Sequence, residues 1–149
     1  MEHKDHLIQI DKIISAIEKL IPEYMKIPED SIKTNGNVAV CIIDEDGHVY
    51  GKIFGKDKII SRRTFGIAWT KASQVWITSM KTGEYEKLVF NKEIDETIYG
   101  IPTPDLIGWQ GGQPVTLKDG TKLSVGFSGF RGISDLSIVT DALKNINLI

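Results

Sequence analysis

Ile107-Gly108-Trp109-Gln110-Gly111-Gly112-Gln113-Pro114-Val115 runs into Lys118-Asp119-Gly120 and then into Leu123-Ser124-Val125-Gly126-Phe127-Ser128-Gly129. A glycine-rich loop leads into an apolar strand, an Asp-Gly turn reverses the chain, and a second strand ends in Ser-Gly. This is the pattern of a β-hairpin whose mouth is bare backbone. Glycine permits close approach of another surface, and a tryptophan set among glycines suits contact with something flat.

The rest of the chain repeats the theme. Val38 to Ile43 is apolar on both alternations, so it reads as a central strand covered on both faces. Asp44-Glu45-Asp46-Gly47 turns the chain, and His48 to Phe54 returns as the partner strand. Before this hairpin, Leu7, Ile10, Ile14, Ile17 and Ile21 recur at helical spacing, and Pro22 is expected to end or bend that helix. After it, Phe65, Ala68, Trp69, Ala72, Val75, Trp76 and Ser79 form one stripe of a helix over 61–80, with Gly83 as its stop. Residues 85–99 are ambiguous between helical turns and extended pieces, and the two prolines of Gly100-Ile101-Pro102-Thr103-Pro104 mark a loop. Ser134 is placed to cap a final helix carrying Leu136, Val139, Ala142, Leu143 and Ile146, with Asp135 set against its N-terminal dipole. The expected fold class is α+β: an antiparallel sheet of two hairpins with helices packed against it, as one domain over residues 1–149.

Composition narrows function. A net charge of -2 gives no electrostatic reason to bind nucleic acid, and no run approaches the ~20 apolar residues of a membrane span. The charged start, Met1-Glu2-His3-Lys4-Asp5, lacks the apolar core of a signal segment, so a cytoplasmic location is expected. The one cysteine, Cys41, lies in an apolar run and reads as a small buried hydrophobe. The segment Gly126-Phe127-Ser128-Gly129-Phe130-Arg131-Gly132 ends without the Gly-Lys-Ser/Thr of a phosphate loop, and Ser128 lacks the second glycine of a nucleophile elbow.

Taken together, Gly111-Gly112-Gln113-Pro114, the Asp119-Gly120 turn, Phe127-Ser128-Gly129, Asp135, the Asp46-Gly47-His48 hairpin and Lys71-Ala72 resemble the GlcG/HbpS family over residues 36–146. That group is linked to haem binding or haem degradation. The resemblance implies a profilin-like fold and a homo-oligomer. It also implies a small-molecule ligand, haem or a similar flat carboxylated compound, between the central helix and the 109–114 loop. In that reading His48 is the candidate metal (iron) ligand, Lys71 pairs with a propionate, and Trp109, Gly111 and Gly112 line the site. Without the resemblance, His48 is equally an edge histidine, Lys71 a solvated lysine, and His3 and His6 a solvated pair near the N-terminus. Two other roles stay open. One is an enzyme, degrading haem or serving a hydroxy-acid or diol pathway; the other is a structural subunit whose glycine loop packs against a neighbour.

Overall fold

The strand Ala39–Asp44 (β1) is buried at every residue and sits between two partners, as its two-faced apolarity requires. In the computed structural model, which describes residues 2–101 and 109–149, it pairs with Val49–Ile53 (β2) on one side and Lys122–Ser128 (β4) on the other. Gly112–Thr116 (β3) pairs with β4, giving the antiparallel order β2-β1-β4-β3. Both expected hairpins are therefore present. Ile107, Gly108 and residues 102–104 of the proline loop lie outside the described residues.

The alternation of β1 divides the core. Val38, Val40 and Ile42 join Val125 and Phe127 beneath two helices, His3–Met25 (α1) and Gly132–Asn145 (α5). Ala39, Cys41 and Ile43 face Ala68 and Ala72 of a long helix, Lys58–Thr78 (α3), on the opposite side. The architecture is thus an α+β sandwich with helices on both faces of one sheet. Three shorter helical segments complete it: Pro28–Thr34 (α2), Thr82–Phe90 (α4) and a 3-10 turn, Glu96–Tyr99. The ambiguous region is therefore helical where it is regular.

Burial pushes the Cys41 thiol up to about 11, which suits a packing residue and not a nucleophile.

Four local expectations are corrected. Pro22 does not end α1, which continues to Met25. The extra turn carries Tyr24 into the core, where it stacks on Phe130 and its hydroxyl donates to Asp141 at 2.7 Å. α3 begins earlier than expected because the Asp57 carboxylate accepts the Ile59 and Ile60 N–H groups, and it ends at Ser79 in the left-handed region instead of at Gly83. Its buried stripe is also rotated: Ser61, Thr64, Ala68, Lys71, Ala72, Val75 and Thr78 face inward, leaving Trp69 and Trp76 44% and 47% exposed. The cause is spacing. A Cβ on Gly126 would run into the Ala68 carbonyl and stand 2.7 Å from the Ala72 N, so the helix lies too close to the sheet for an indole. Finally, Ser134 does not cap α5; Arg131 occupies that position, and the Ser134 hydroxyl donates to Asp30 at 2.6 Å.

Candidate functional site

At the end of the sheet where β4 hands over to α5, several segments enclose a cavity of about 290 Å³. Ser128, Gly129 and Phe130 follow from β4, Gly132 and Asp135 open α5, and Arg63, Thr64, Ile67 and Lys71 face them from α3. Lys33 and Thr34 close the α2 side, while Trp109 and Gln110 form the remaining wall. The cavity lies between the central helix and Trp109, the region to which the resemblance assigns a ligand.

Lys71 forms the floor. It is 1% exposed, and its ammonium donates to Asp135 Oδ2 at 3.1 Å and to the Phe127 carbonyl at 2.8 Å. The other oxygen of Asp135 accepts the Phe130 N–H at 2.9 Å. The carboxylate that Lys71 meets is therefore the chain's own, 64 residues away in sequence. Burial lowers the lysine's affinity for its proton and pushes Asp135 up to about 7, while their mutual attraction works against both shifts.

The sign of the resulting pH dependence follows. An aspartate whose folded value lies above its unfolded 3.8 contributes stability that is full below 3.8 and is lost as pH rises through about 7. Between pH 4 and 7 the protein should therefore lose stability relative to an Asp135→Asn variant. Denaturant midpoints of the two chains at pH 5 and pH 7.5 check this. Equal changes in both would show that Asp135 does not titrate in that window.

Gly111 and Gly112 serve this floor directly. Gly111 has φ +122, and a Cβ there would lie 2.7 Å from Lys71 Nζ and 2.5 Å from the Phe127 carbonyl oxygen. At Gly112 it would meet Thr82 Cγ2 at 2.5 Å and the Lys71 carbonyl at 3.1 Å. The close approach expected of the glycine loop is thus made to the chain's own helix and ion pair. The loop is anchored from α4, since the Thr82 hydroxyl donates to the Trp109 carbonyl at 2.6 Å. The indole of Trp109 is left 66% exposed beside the cavity.

The walls are chemically mixed. Ile67 and Trp109 offer apolar surface, and the exposed cations Lys33 and Arg63 stand at the rim. A third group supports the Phe130 wall: Asp30, fully buried, accepts from the Arg131 backbone and Nε, each at 2.9 Å. Burial opposes ionisation of Asp30, but the hydrogen bonds from Arg131 and Ser134 outweigh it and hold the carboxyl below its ordinary value. Neither Asp30 nor the pairing of Lys71 with Asp135 was visible in the sequence. The one available signal was an aspartate three residues into a helix opposite a lysine off the apolar stripe.

His48 is elsewhere. Ala39 of β1 lies opposite Ser128 at the pocket end, whereas Asp44, beside His48, lies opposite Leu123. Five residue steps of strand, about 17 Å, separate the two ends. Lys71, Trp109, Gly111 and Gly112 come together; His48 joins His3 and His6 in a separate hollow.

No family model matches this chain, and no curated protein does either. Solved structures do match. Klebsiella pneumoniae protein ORFY, a DUF336 structure, is 19% identical, with 96% of this chain and 90% of that chain aligned at a TM-score of 0.65. The PduOC:heme complex is 18% identical over 92% of this chain and 94% of that one, at 0.64. HbpS is 18% identical over 89% and 88%, at 0.51. The fold is shared across nearly the whole chain, and this matches the GlcG/HbpS resemblance carried by the motifs. Among the described residues no helix is long and apolar enough to cross a membrane.

Proposed function

We propose that this chain is a binding module for a flat, carboxylated ligand of the haem class, seated at the Lys71 and Trp109 pocket. The observation that carries the reading is the pocket's composition: apolar surface from Ile67 and Trp109 under a rim of Lys33 and Arg63. Flat apolar ligands stack on exposed indoles, and carboxylates pair with guanidinium groups. Lys71 is spent on Asp135 and the Phe127 carbonyl and holds the pocket floor, so the ligand's carboxylates fall to Arg63 and Lys33 at the rim. The likeness to a structure solved as a heme complex supports the same ligand class.

The residues fit one part of a haem better than another. At about 290 Å³ the cavity is near the small end of ligand pockets, roughly 300 Å³ and upward, so a tetrapyrrole would enter by its carboxylated edge and rest its face on Trp109. The described lining residues include no histidine, cysteine, methionine or tyrosine. Binding here would work through the propionates and the ring face. An iron bound by His48 would instead put the porphyrin at the far end of the sheet.

Titration of haemin into Trp109→Ala and Arg63→Glu chains tests this. Each should weaken binding about tenfold, the loss of one stacking or charge-assisted contact. Unchanged affinity in both variants would remove the pocket as the site.

A second reading, self-association, is favoured by an exposed apolar stripe. Trp69 and Trp76 stand one heptad apart on α3, and Val49 and Ile53 of edge strand β2 are 49% and 48% exposed. Exposed patches of this kind mark protein contacts. We expect Trp69→Lys to lower the mass of the assembly in sedimentation; a chain that is monomeric before substitution would contradict this reading.

A further inference from the structure

The two edges of the sheet differ. On β3, the Phe127 N–H donates to the Gly111 carbonyl and the Leu117 N–H to the Thr121 carbonyl, so Gly112, Pro114 and Thr116 turn their backbone outward. Pro114 has no N–H to offer there, which breaks that edge. On β2, the Asp44 N–H donates to the His48 carbonyl and the Phe54 N–H to the Val38 carbonyl, so Val49, Gly51 and Ile53 turn outward. Each presents an N–H and a C=O along an edge that no described strand covers. Their side chains share the α3 face, because they lie opposite Ile43, Cys41 and Ala39. Val49 and Ile53 are exposed there, while Phe65 covers Gly51, its Cε2 standing 2.8 Å from where a Cβ would be. Trp69 and Trp76 continue the exposed apolar surface along α3.

We propose that this edge receives the same edge of a second copy of the chain, β2 against β2, antiparallel and centred on Gly51, so that two sheets become one. The inference rests on the self-association reading and specifies where the copies join. Charge selects both the partner and the direction. The strand is acidic at its start, where Glu45 and Asp46 are exposed in the turn, and basic past its end, where exposed Lys56 and Lys58 outnumber Asp57. Antiparallel pairing of two copies sets each acidic end against the other's basic end, whereas parallel pairing would set like against like. With Gly51 opposite Gly51, each Val49 lies opposite the second copy's Ile53, an apolar pair beside Trp69. The three outward residues of each copy donate and accept in turn, about six hydrogen bonds in all. Lys52, the kind of charge that guards an open edge, turns instead to the opposite face, where Glu18 holds it at 2.7 Å. The two-fold arrangement closes on itself, and Pro114 at the far edge blocks growth of a longer sheet.

Sedimentation velocity of the full chain over a concentration series tests this, and a dimer is expected. Val49→Lys and Ile53→Glu should each weaken dimerisation by about tenfold or more, since a charge then faces an apolar partner across the joint. Mixing the two variants should restore the dimer, because the introduced ammonium lies opposite the introduced carboxylate only in this register. Both positions are exposed, so both chains keep the fold, which far-ultraviolet circular dichroism verifies. Amide hydrogen exchange of the parent chain gives a readout free of substitution: protection at Val49, Gly51 and Ile53 should rise with protein concentration. Loss of the dimer in both variants without recovery on mixing, or exchange at these three amides that ignores concentration, would overturn the strand pairing. A dimer that Trp69→Lys dissociates and both strand variants leave intact would overturn it too, with self-association left standing. A chain that is monomeric at every concentration would overturn both.

Discussion

Lys71→Met should cost this chain about 3–5 kcal/mol of stability above pH 8, where Asp135 is ionised, the range for removing one partner of a buried ion pair. Both side chains are nearly inaccessible, 2% for Lys71 and 4% for Asp135, so no water replaces the lost ammonium. Asp135 would keep only the Phe130 N–H, and the Phe127 carbonyl would lose its lysine donor. Because Asp135 is already pushed up to about 7, it can escape the penalty by taking a proton, and the cost should shrink as pH is lowered toward 5. A Lys71→Met/Asp135→Leu chain should regain part of the loss, since well-packed apolar pairs replace buried ion pairs at little cost. Urea denaturation of the three chains measures this. A single-variant loss below about 1 kcal/mol would show that the pair is not a structural centre of the pocket.

The second large effect concerns Gly126. Gly126→Ala adds one carbon against the backbone of α3, at the Ala68 carbonyl and the Ala72 N, atoms that cannot swing aside as a flexible side chain can. Overpacked cores lose about 1–3 kcal/mol, and backbone contact puts this substitution at or above the upper end. Gly66, on the exposed side of the same helix, has nothing within 4 Å of its absent Cβ. Gly66→Ala should therefore stabilise the chain by about 0.5–1 kcal/mol, the helix-propensity gain alone. Thermal unfolding of the two variants should move in opposite directions. Movement in the same direction would mean that the distance between α3 and the sheet is not set by Gly126.

The same glycine explains what was readable in advance. The two-sided apolarity of residues 38–43 and the turns at Asp44–Gly47 and Asp119-Gly120 are local signals, so the central strand and both hairpins were legible. A ligand site between the central helix and the tryptophan loop came only from the resemblance; no local pattern of residues carried it. The inward face of α3 was not legible either. A periodicity count assigns large apolar side chains to the core, but Gly112 and Gly126 bring the helix too near for Trp69 and Trp76 and turn Lys71 inward. That lysine is tolerable there only because Asp135 meets it, a contact between residues 64 apart that no local pattern carries. His6 reads as a solvated residue near the N-terminus, yet α1 delivers it to Asp44, 38 residues away. The residues that bear chemistry were thus visible by type and hidden by partner.

The measurement that tests the binding reading most directly is a parallel titration of the chain with haemin and with metal-free protoporphyrin IX, followed by the Soret band and tryptophan quenching. Binding by carboxylates and ring face at the Lys71 and Trp109 pocket predicts saturation near one porphyrin per chain, with affinities for the two that agree within a few-fold. His48→Ala should leave both unchanged. Nonsaturating uptake of either porphyrin, or saturable haemin binding that fails with the metal-free ring and is lost in His48→Ala, would contradict it.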